Sequence, residues 1–167
     1  MKIAKHLKNR VEYNEWAIER YLNWLKPQPK ELLQKRLPSS CAGIFETFKH
    51  IWEAQEYWRG AVCDANDFVR VWELSEISCE QVFTGLEESS KKFTAAVNLF
   101  DEKQLLENVL IENNWLKCNL QRFEYIEQVV SHGIYHRGQI VTLAHNLGIE
   151  HAPETDYLAW KIGEFGS

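Results

Sequence analysis

The chain has 167 residues, of which 45% are apolar and 26% charged, and its formal net charge is −5. These values are typical of a folded globular protein, so we expect a single domain over residues 1–167. The acidic balance and the absence of a basic stripe argue against nucleic-acid binding. No apolar run reaches the length of a membrane span and the N-terminus has no signal-peptide core, so we expect a cytoplasmic location without membrane contact.

Hydrophobic periodicity predicts four long helices. Pro27 and Pro29 end the first one, because proline lacks an N–H and disfavours helix in the preceding residue. Ser39 or Ser40 is the expected N-cap of the second helix, and Gly148 closes the last. The predicted ranges are, in chain order, Met1 or Lys8 to Leu25, Ser39 or Ser40 to Val62, Cys79 to Phe100, and Leu120 to Leu147.

Three segments lie outside these helices. Residues 63–78 are interpreted as a long crossover connection between the second and third helices. Asn113 and Asn114 separate two apolar runs; a short β-hairpin fits, because Asn tolerates a positive φ at a turn, and a loop fits equally well. The tail, residues 152–160, is expected to fold back onto the other elements. The predicted fold class is therefore all-α, a four-helix bundle with a long crossover.

The cysteine and tryptophan content indicates what kinds of site and core to expect. The four cysteines form no C-x-x-C pair, so we expect free thiols and not a zinc knuckle. Seven tryptophans in 167 residues predict a core or an internal cavity rich in aromatic rings.

The histidines carry the strongest functional signal. His132 and His136 are four residues apart, which places both imidazoles on one face of the last helix. Such a pair could offer two nitrogens to one metal ion, although many helices carry one for packing alone. His50, midway along the second helix, is the best candidate for a third ligand. The remaining histidines, His6, His145 and His151, are interpreted as surface residues.

The spacing between the histidines and their neighbouring residues distinguishes among the known kinds of metal site. The H-E-x-x-H protease motif is absent, because glycine follows the first histidine. A di-iron carboxylate site is disfavoured, because Thr47, Val129 and Gly133 stand where its glutamates would precede the histidines. A site of two histidines and one carboxylate, from Glu53 or Glu46, stays open. Three histidines with open positions for water or substrate is the preferred hypothesis.

Three segments together resemble a known family. Residues 132–140, HGIYHRGQI, resemble the H-x-x-x-H-R-G-Q signature of the DinB-like (DinB/YfiT) family of metal-dependent enzymes. Residues 13–17, YNEWA, resemble the family's first helix, and Phe48–Trp52 with Trp58-Arg59 resemble its second. The resemblance implies a four-helix bundle that holds a metal through His50, His132 and His136.

The resemblance also implies a function. Zinc or nickel is the expected metal, with iron or manganese as alternatives. Relatives are often dimers, so we expect this chain to form a homodimer. Some relatives are transferases or isomerases that use a low-molecular-weight thiol. We therefore expect a metal-dependent thiol S-transferase, or a related hydrolase or isomerase, acting on a small molecule. The alternative is a non-catalytic metal- or ligand-binding or interaction protein on the same fold.

Residues near the histidines are further candidates for the site. Gln139 is expected to direct a polar group into the site, and Tyr57 to donate a hydrogen bond near the second-helix histidine. Arg137 and Arg59 could bind an anionic substrate group. For Arg137 the competing interpretation is an exposed or ion-paired surface residue, and Gly138 is expected to permit close helix packing.

Overall fold

Four long helices form the body of the protein in a computed structural model that describes residues 2–163. The predicted four-helix bundle is confirmed, and within these residues a small two-stranded sheet and three short helices accompany it. The elements are α1 (Lys2–Leu25), α2 (Lys30–Leu33), α3 (Ile44–Val62), a 3₁₀ turn (Val71–Glu73), α4 (Cys79–Leu99), α5 (Glu102–Leu106), β1 (Asn108–Glu112), β2 (Lys117–Gln121), α6 (Arg122–Asn146) and α7 (Tyr157–Ile162).

Each long helix packs against two others, in the order α1, α4, α3, α6 around the bundle. The successive long helices α1 and α3 therefore lie across its diagonal, whereas α3 and α6 are neighbours. The apolar stripes that periodicity predicted face the interior, where their removal from water stabilises the fold. Buried members include Val11, Ile18, Leu22, Phe48, Ile51, Val82, Leu86, Phe93, Val97, Val129 and Leu143.

The ends of the long helices follow local chemistry. α1 ends at Leu25, two residues before Pro27 as predicted; Met1, one of its two predicted starts, lies outside the described residues. The predicted Gly148 follows the end of α6, and its φ of 76° is the left-handed conformation that glycine adopts freely. The Ile149 N–H donates to the Ala144 carbonyl at 2.9 Å, which completes a Schellman motif.

The start of α3 differs from the prediction, because neither Ser39 nor Ser40 caps it. Gly43 precedes the first helical residue, Ile44, with a φ of 142° that L side chains rarely adopt. A Cβ atom at Gly43 would lie 2.7 Å from the Lys35 carbonyl oxygen. The chain therefore enters α3 through a backbone conformation that only glycine fits, and no side chain caps the helix.

The crossover between α3 and α4 is held by a buried ion pair. Arg59 and Glu56, 3% and 1% exposed, are joined by two hydrogen bonds of 3.1 and 3.0 Å. The Arg59 guanidinium also donates to the carboxylate and the carbonyl of Asp67, at 2.6 and 2.9 Å. The Val69 N–H donates to Glu56. These bonds fix the first half of the crossover against α3.

The β-hairpin, one of two alternatives for its segment, is present. β1 and β2 pair antiparallel with Glu112 opposite Lys117, which leaves a four-residue turn. The reason given for a turn there was wrong, because neither Asn113 nor Asn114 has a positive φ. Instead, the Asn113 side-chain oxygen accepts the N–H groups of Trp115 and Leu116 at 3.0 and 2.9 Å.

The tail folds back onto the bundle as predicted. The Tyr13 hydroxyl donates to the Thr155 carbonyl at 2.7 Å, and the Trp24 indole N–H donates to the Glu150 carbonyl at 2.9 Å. The four cysteines are free thiols, also as predicted. Across residues 2–163, no helix combines the length and the apolar character needed to cross a membrane.

Candidate metal centre

The structure brings the three predicted histidines together between α3 and α6. His132 Nε2 lies 3.1 Å from His50 Nε2 and 3.1 Å from His136 Nε2. Ligand nitrogens bound about 2.0 Å from one ion lie roughly 3–3.5 Å apart, so these spacings suit a common ion. Within residues 2–163, these histidines form the one group of three or more potential ligand side chains, with their ligand atoms inside 4.8 Å.

Gln139 fixes the orientation of one imidazole. His136 Nδ1 lies 2.8 Å from the Gln139 amide oxygen, which can only accept, so Nδ1 carries the proton. The lone pair of His136 is then on Nε2, which faces the other two rings. The Ser40 hydroxyl donates to the same amide oxygen at 3.2 Å. Gln139 thus contacts a histidine of the site, while its expected contact with substrate stays a prediction.

The environment keeps His132 and His136 neutral. Burial, followed by the neighbouring charges that His136 and His50 would carry, lowers the pKa of His132 to about 4. Burial also lowers the pKa of His136, against the opposing effect of its bond to Gln139. Both imidazoles are therefore unprotonated at neutral pH, which is the form that binds metal ions.

The helix that carries two of the histidines is anchored by Arg137. Arg137 is 3% exposed, and its guanidinium donates to the Asn14 side-chain oxygen of α1 at 2.7 Å. A Cβ atom at Gly133 would lie 2.8 Å from that oxygen, so glycine makes room for the pair. The interpretation of Arg137 as an exposed or ion-paired surface residue was wrong. The role of Asn14 as the partner of this arginine was not predicted, although Asn14 belongs to the YNEWA segment that resembles the family's first helix.

An aromatic cavity of about 540 Å³ opens beside His50. Three segments build it: α3, the crossover and the turn of the hairpin. The Tyr57 hydroxyl accepts a hydrogen bond of 2.9 Å from the Asn113 amide, which leaves its own proton to donate. Burial raises the pKa of Tyr57, so this proton is retained at neutral pH. The lining residues are His50, Glu53, Ala54, Tyr57, Trp58, Trp72, Asn113 and Trp115.

Comparison with known proteins places this chain in a family. The family model of the DinB family matches residues 4–164. The chain belongs to the DinB family. The Protein DinB of Bacillus subtilis strain 168 is 30% identical over 159 residues, covering 87% of this chain and 88% of that protein. A crystal structure of a DinB-like protein from Bacillus subtilis has the same fold, with a TM-score of 0.60 and 14% identity over 93% of this chain and 99% of that one.

Several predicted residues of this DinB-family protein lie elsewhere or act differently. Arg59 and Arg137 are both buried, and each donates hydrogen bonds to other side chains. Neither lines the cavity. Gly138 is exposed, and a Cβ atom placed on it would have no neighbour within 4 Å, so it is not a close-packing glycine. Glu53 lines the cavity and pairs with Lys49 at 3.6 Å, outside the three-histidine group. The other histidines, His6, His145 and His151, are exposed as predicted.

Sequence reasoning missed two walls of the cavity. Trp72 comes from the 3₁₀ turn of the crossover, and Trp115 from the hairpin turn. The high tryptophan content predicted a ring-rich core or cavity, and this was the available signal. It could not say which rings meet, because Trp72 and Trp115 come together with α3 only through the connections between helices.

Proposed function

We propose that this DinB-family protein binds one divalent metal ion through His50, His132 and His136 and transfers a thiol to a small molecule in the adjoining cavity. Hydrolysis and isomerisation are the related reactions that the same site could support. The observation that carries the proposal is the convergence of three imidazole nitrogens beside an open aromatic cavity. Zinc or nickel suits three nitrogen ligands, and iron or manganese are alternatives.

The chemistry of the donor set supports a bound ion. His132 Nε2 faces both of the other Nε2 atoms at 3.1 Å, yet a single N–H can donate to only one of them. A metal ion would accept all three lone pairs at once. Structural zinc sites usually have four protein ligands, whereas this group within residues 2–163 has three and adjoins a cavity. The arrangement favours an ion with a position open to a small molecule.

The side chains around the site have separable tasks. A divalent ion supplies a Lewis acid, which favours loss of a proton from a thiol or from water. Gln139 holds the His136 ring in the orientation that presents Nε2. The Tyr57 hydroxyl can donate a hydrogen bond to a substrate. The aromatic side chains that line the cavity would shield part of a bound substrate from water.

Elemental analysis tests the metal centre directly. We expect one transition metal per chain in the purified protein and none in the double variant His50→Ala, His132→Ala. The double variant His145→Ala, His151→Ala removes two exposed histidines and should keep the full metal content. Equal metal content in both variants, or no metal after reconstitution with zinc, nickel, iron and manganese, would overturn the proposal.

Turnover requires a second experiment. The metal-loaded protein is incubated with low-molecular-weight thiols and electrophilic small molecules, and thioether products are measured by mass spectrometry. Product formation that disappears in the histidine double variant supports the transferase. Full metal occupancy without product across thiol transfer, hydrolysis and isomerisation assays would instead support a metal- or ligand-binding protein.

A further inference from the structure

Three aromatic rings line the cavity, and we call them the aromatic box: Tyr57, Trp72 and Trp115. The Tyr57 ring lies 6.5 Å from Trp72 and 5.4 Å from Trp115, centroid to centroid. The ring planes are inclined by 64° and 48°. Inclined rings do not form the parallel-sided slot that a flat aromatic ligand fills, so the exposed parts of these rings suit a rounded group better than a flat one.

The outer rings of the box are only partly covered by their neighbours, although Trp72 also stacks on Phe68 with ring centroids 6.4 Å apart. Trp72 is 48% exposed and Trp115 is 68% exposed, although large aromatic side chains normally contribute to a core. Both stand on turns, and both face a cavity that the protein itself leaves open. A ligand that enters the cavity would cover the ring surface that these contacts leave exposed.

The charge of the lining suits a cation. The faces of aromatic rings carry partial negative charge and attract ammonium groups that lie within about 6 Å. Glu53 is the one acidic side chain among the lining residues, and no lysine or arginine lines the cavity. Lys49 pairs with Glu53 at 3.6 Å from outside this lining, a distance that leaves the carboxylate able to attract a second cation.

Tyr57 and His50 line the same cavity but stand at different levels of α3. Tyr57 follows His50 by seven positions along α3, which is roughly 10 Å along the helix axis at 1.5 Å per residue. A cationic group in the box would therefore stand apart from the positive charge of a bound metal ion. One molecule of moderate length could reach both places.

We propose that the aromatic box and Glu53 bind a quaternary ammonium or similar organic cation carried by the substrate. This inference rests on the proposed function and deepens it, because it names the class of the substrate. The molecule carries its organic cation at the other end from the group that reacts at the histidines. The tryptophan faces select the cation, and the carboxylate adds charge complementarity.

Choline and its uncharged isostere 3,3-dimethylbutan-1-ol are the probes. Each gives one strong methyl proton signal, so binding to the full chain is followed by NMR titration of that signal. We expect choline to bind at least about tenfold more tightly than the isostere, because the two differ in charge and hardly in shape. Equal affinities would show a purely apolar pocket and overturn the proposal, and so would no binding of choline.

Variants locate the binding and separate the two proposals. Trp72→Leu, Trp115→Leu and Glu53→Gln should each weaken choline binding several-fold, while Trp160→Leu in α7 should leave it unchanged. Choline binding that is equal in all four variants would place it elsewhere and overturn the box. Selective choline binding by a protein that holds no metal would uphold the box and overturn only the metal-dependent reaction.

Discussion

The indole ring of Trp52 on α3 occupies the space where a side chain would begin at Gly85 on α4. A Cβ atom built at Gly85 overlaps three carbon atoms of the ring, well inside van der Waals contact. Trp52 is itself buried, at 6% exposure. The close approach of these two helices therefore depends on one glycine.

Alanine at this glycine should destabilise the protein. We expect Gly85→Ala to cost about 1–3 kcal/mol, because overpacking forces the Trp52 ring and its helix to shift. Gly138→Ala is the matched control, since a Cβ there meets nothing within 4 Å; it should stabilise by about 0.5–1 kcal/mol through helix propensity. Urea unfolding of both variants measures the change in unfolding free energy. Equal changes in the two variants would contradict the packing described for Trp52.

Removing Arg59 should loosen the crossover. Arg59→Met leaves the Glu56 carboxylate buried without its ion-pair partner, which costs about 3–5 kcal/mol. Arg70 also pairs with a glutamate three residues away, but both of those side chains are more than half exposed. Arg70→Met should therefore cost less than about 1 kcal/mol. Chemical denaturation compares the two, and a loss at Arg59 as small as that at Arg70 would argue against a structural role for the buried pair.

Gln139 should control metal affinity without being a ligand. Gln139→Ala removes the acceptor for His136 Nδ1–H, so the ring loses its orientation and affinity should fall about 10–100-fold. Gln139→Glu restores an acceptor and should recover most of the affinity. Thr142→Ala, one turn along α6 on an exposed position, serves as the control. Competition with a chelator measures all three, and an unchanged affinity in Gln139→Ala would remove the orienting role.

The metal-free protein should lose stability in mild acid. His132 has a pKa of about 4 in the folded protein, against an ordinary value of 6.5. Between these values the unfolded chain binds a proton that the folded chain does not, so stability is full above pH 6.5 and declines as the pH falls toward 4. The decline from this group is on the order of 3 kcal/mol.

The variant His132→Gln isolates this contribution. Its unfolding free energy should fall less steeply than that of the unmodified protein between pH 6.5 and pH 4. Denaturation of both proteins, stripped of metal, at several pH values gives the two slopes. Parallel slopes would mean that His132 titrates normally in the folded state.

Much of the bundle could be predicted because long helices repeat their pattern. Apolar spacing gave the four long helices, and Pro27 and Gly148 marked two ends through chemistry that acts within a few residues. The short helices α2 and α5 were not predicted, because four or five residues show too little hydrophobic periodicity. The α3 cap was misassigned, because the fit at Gly43 depends on the backbone of Lys35.

The members of the histidine cluster could be predicted from sequence spacing and family resemblance, but their arrangement in space could not. The pair on α6 shares a face by helix geometry, but the meeting with His50 depends on how α3 and α6 pack. Arg137 was misjudged because α6 packs against both α1 and α3, so its buried face is wide enough to include two adjacent residues. Its partner Asn14 is 123 positions away in sequence.

The division between helices and connections has a consequence for how this protein can change. The three histidines belong to the bundle, whereas Trp72 and Trp115 stand on connections, which tolerate substitution and insertion better than helices do. New crossover or hairpin sequences could therefore reshape what enters the cavity while the ligand geometry is inherited intact. A library randomised only in these two connections would sample new specificities on an unaltered metal centre.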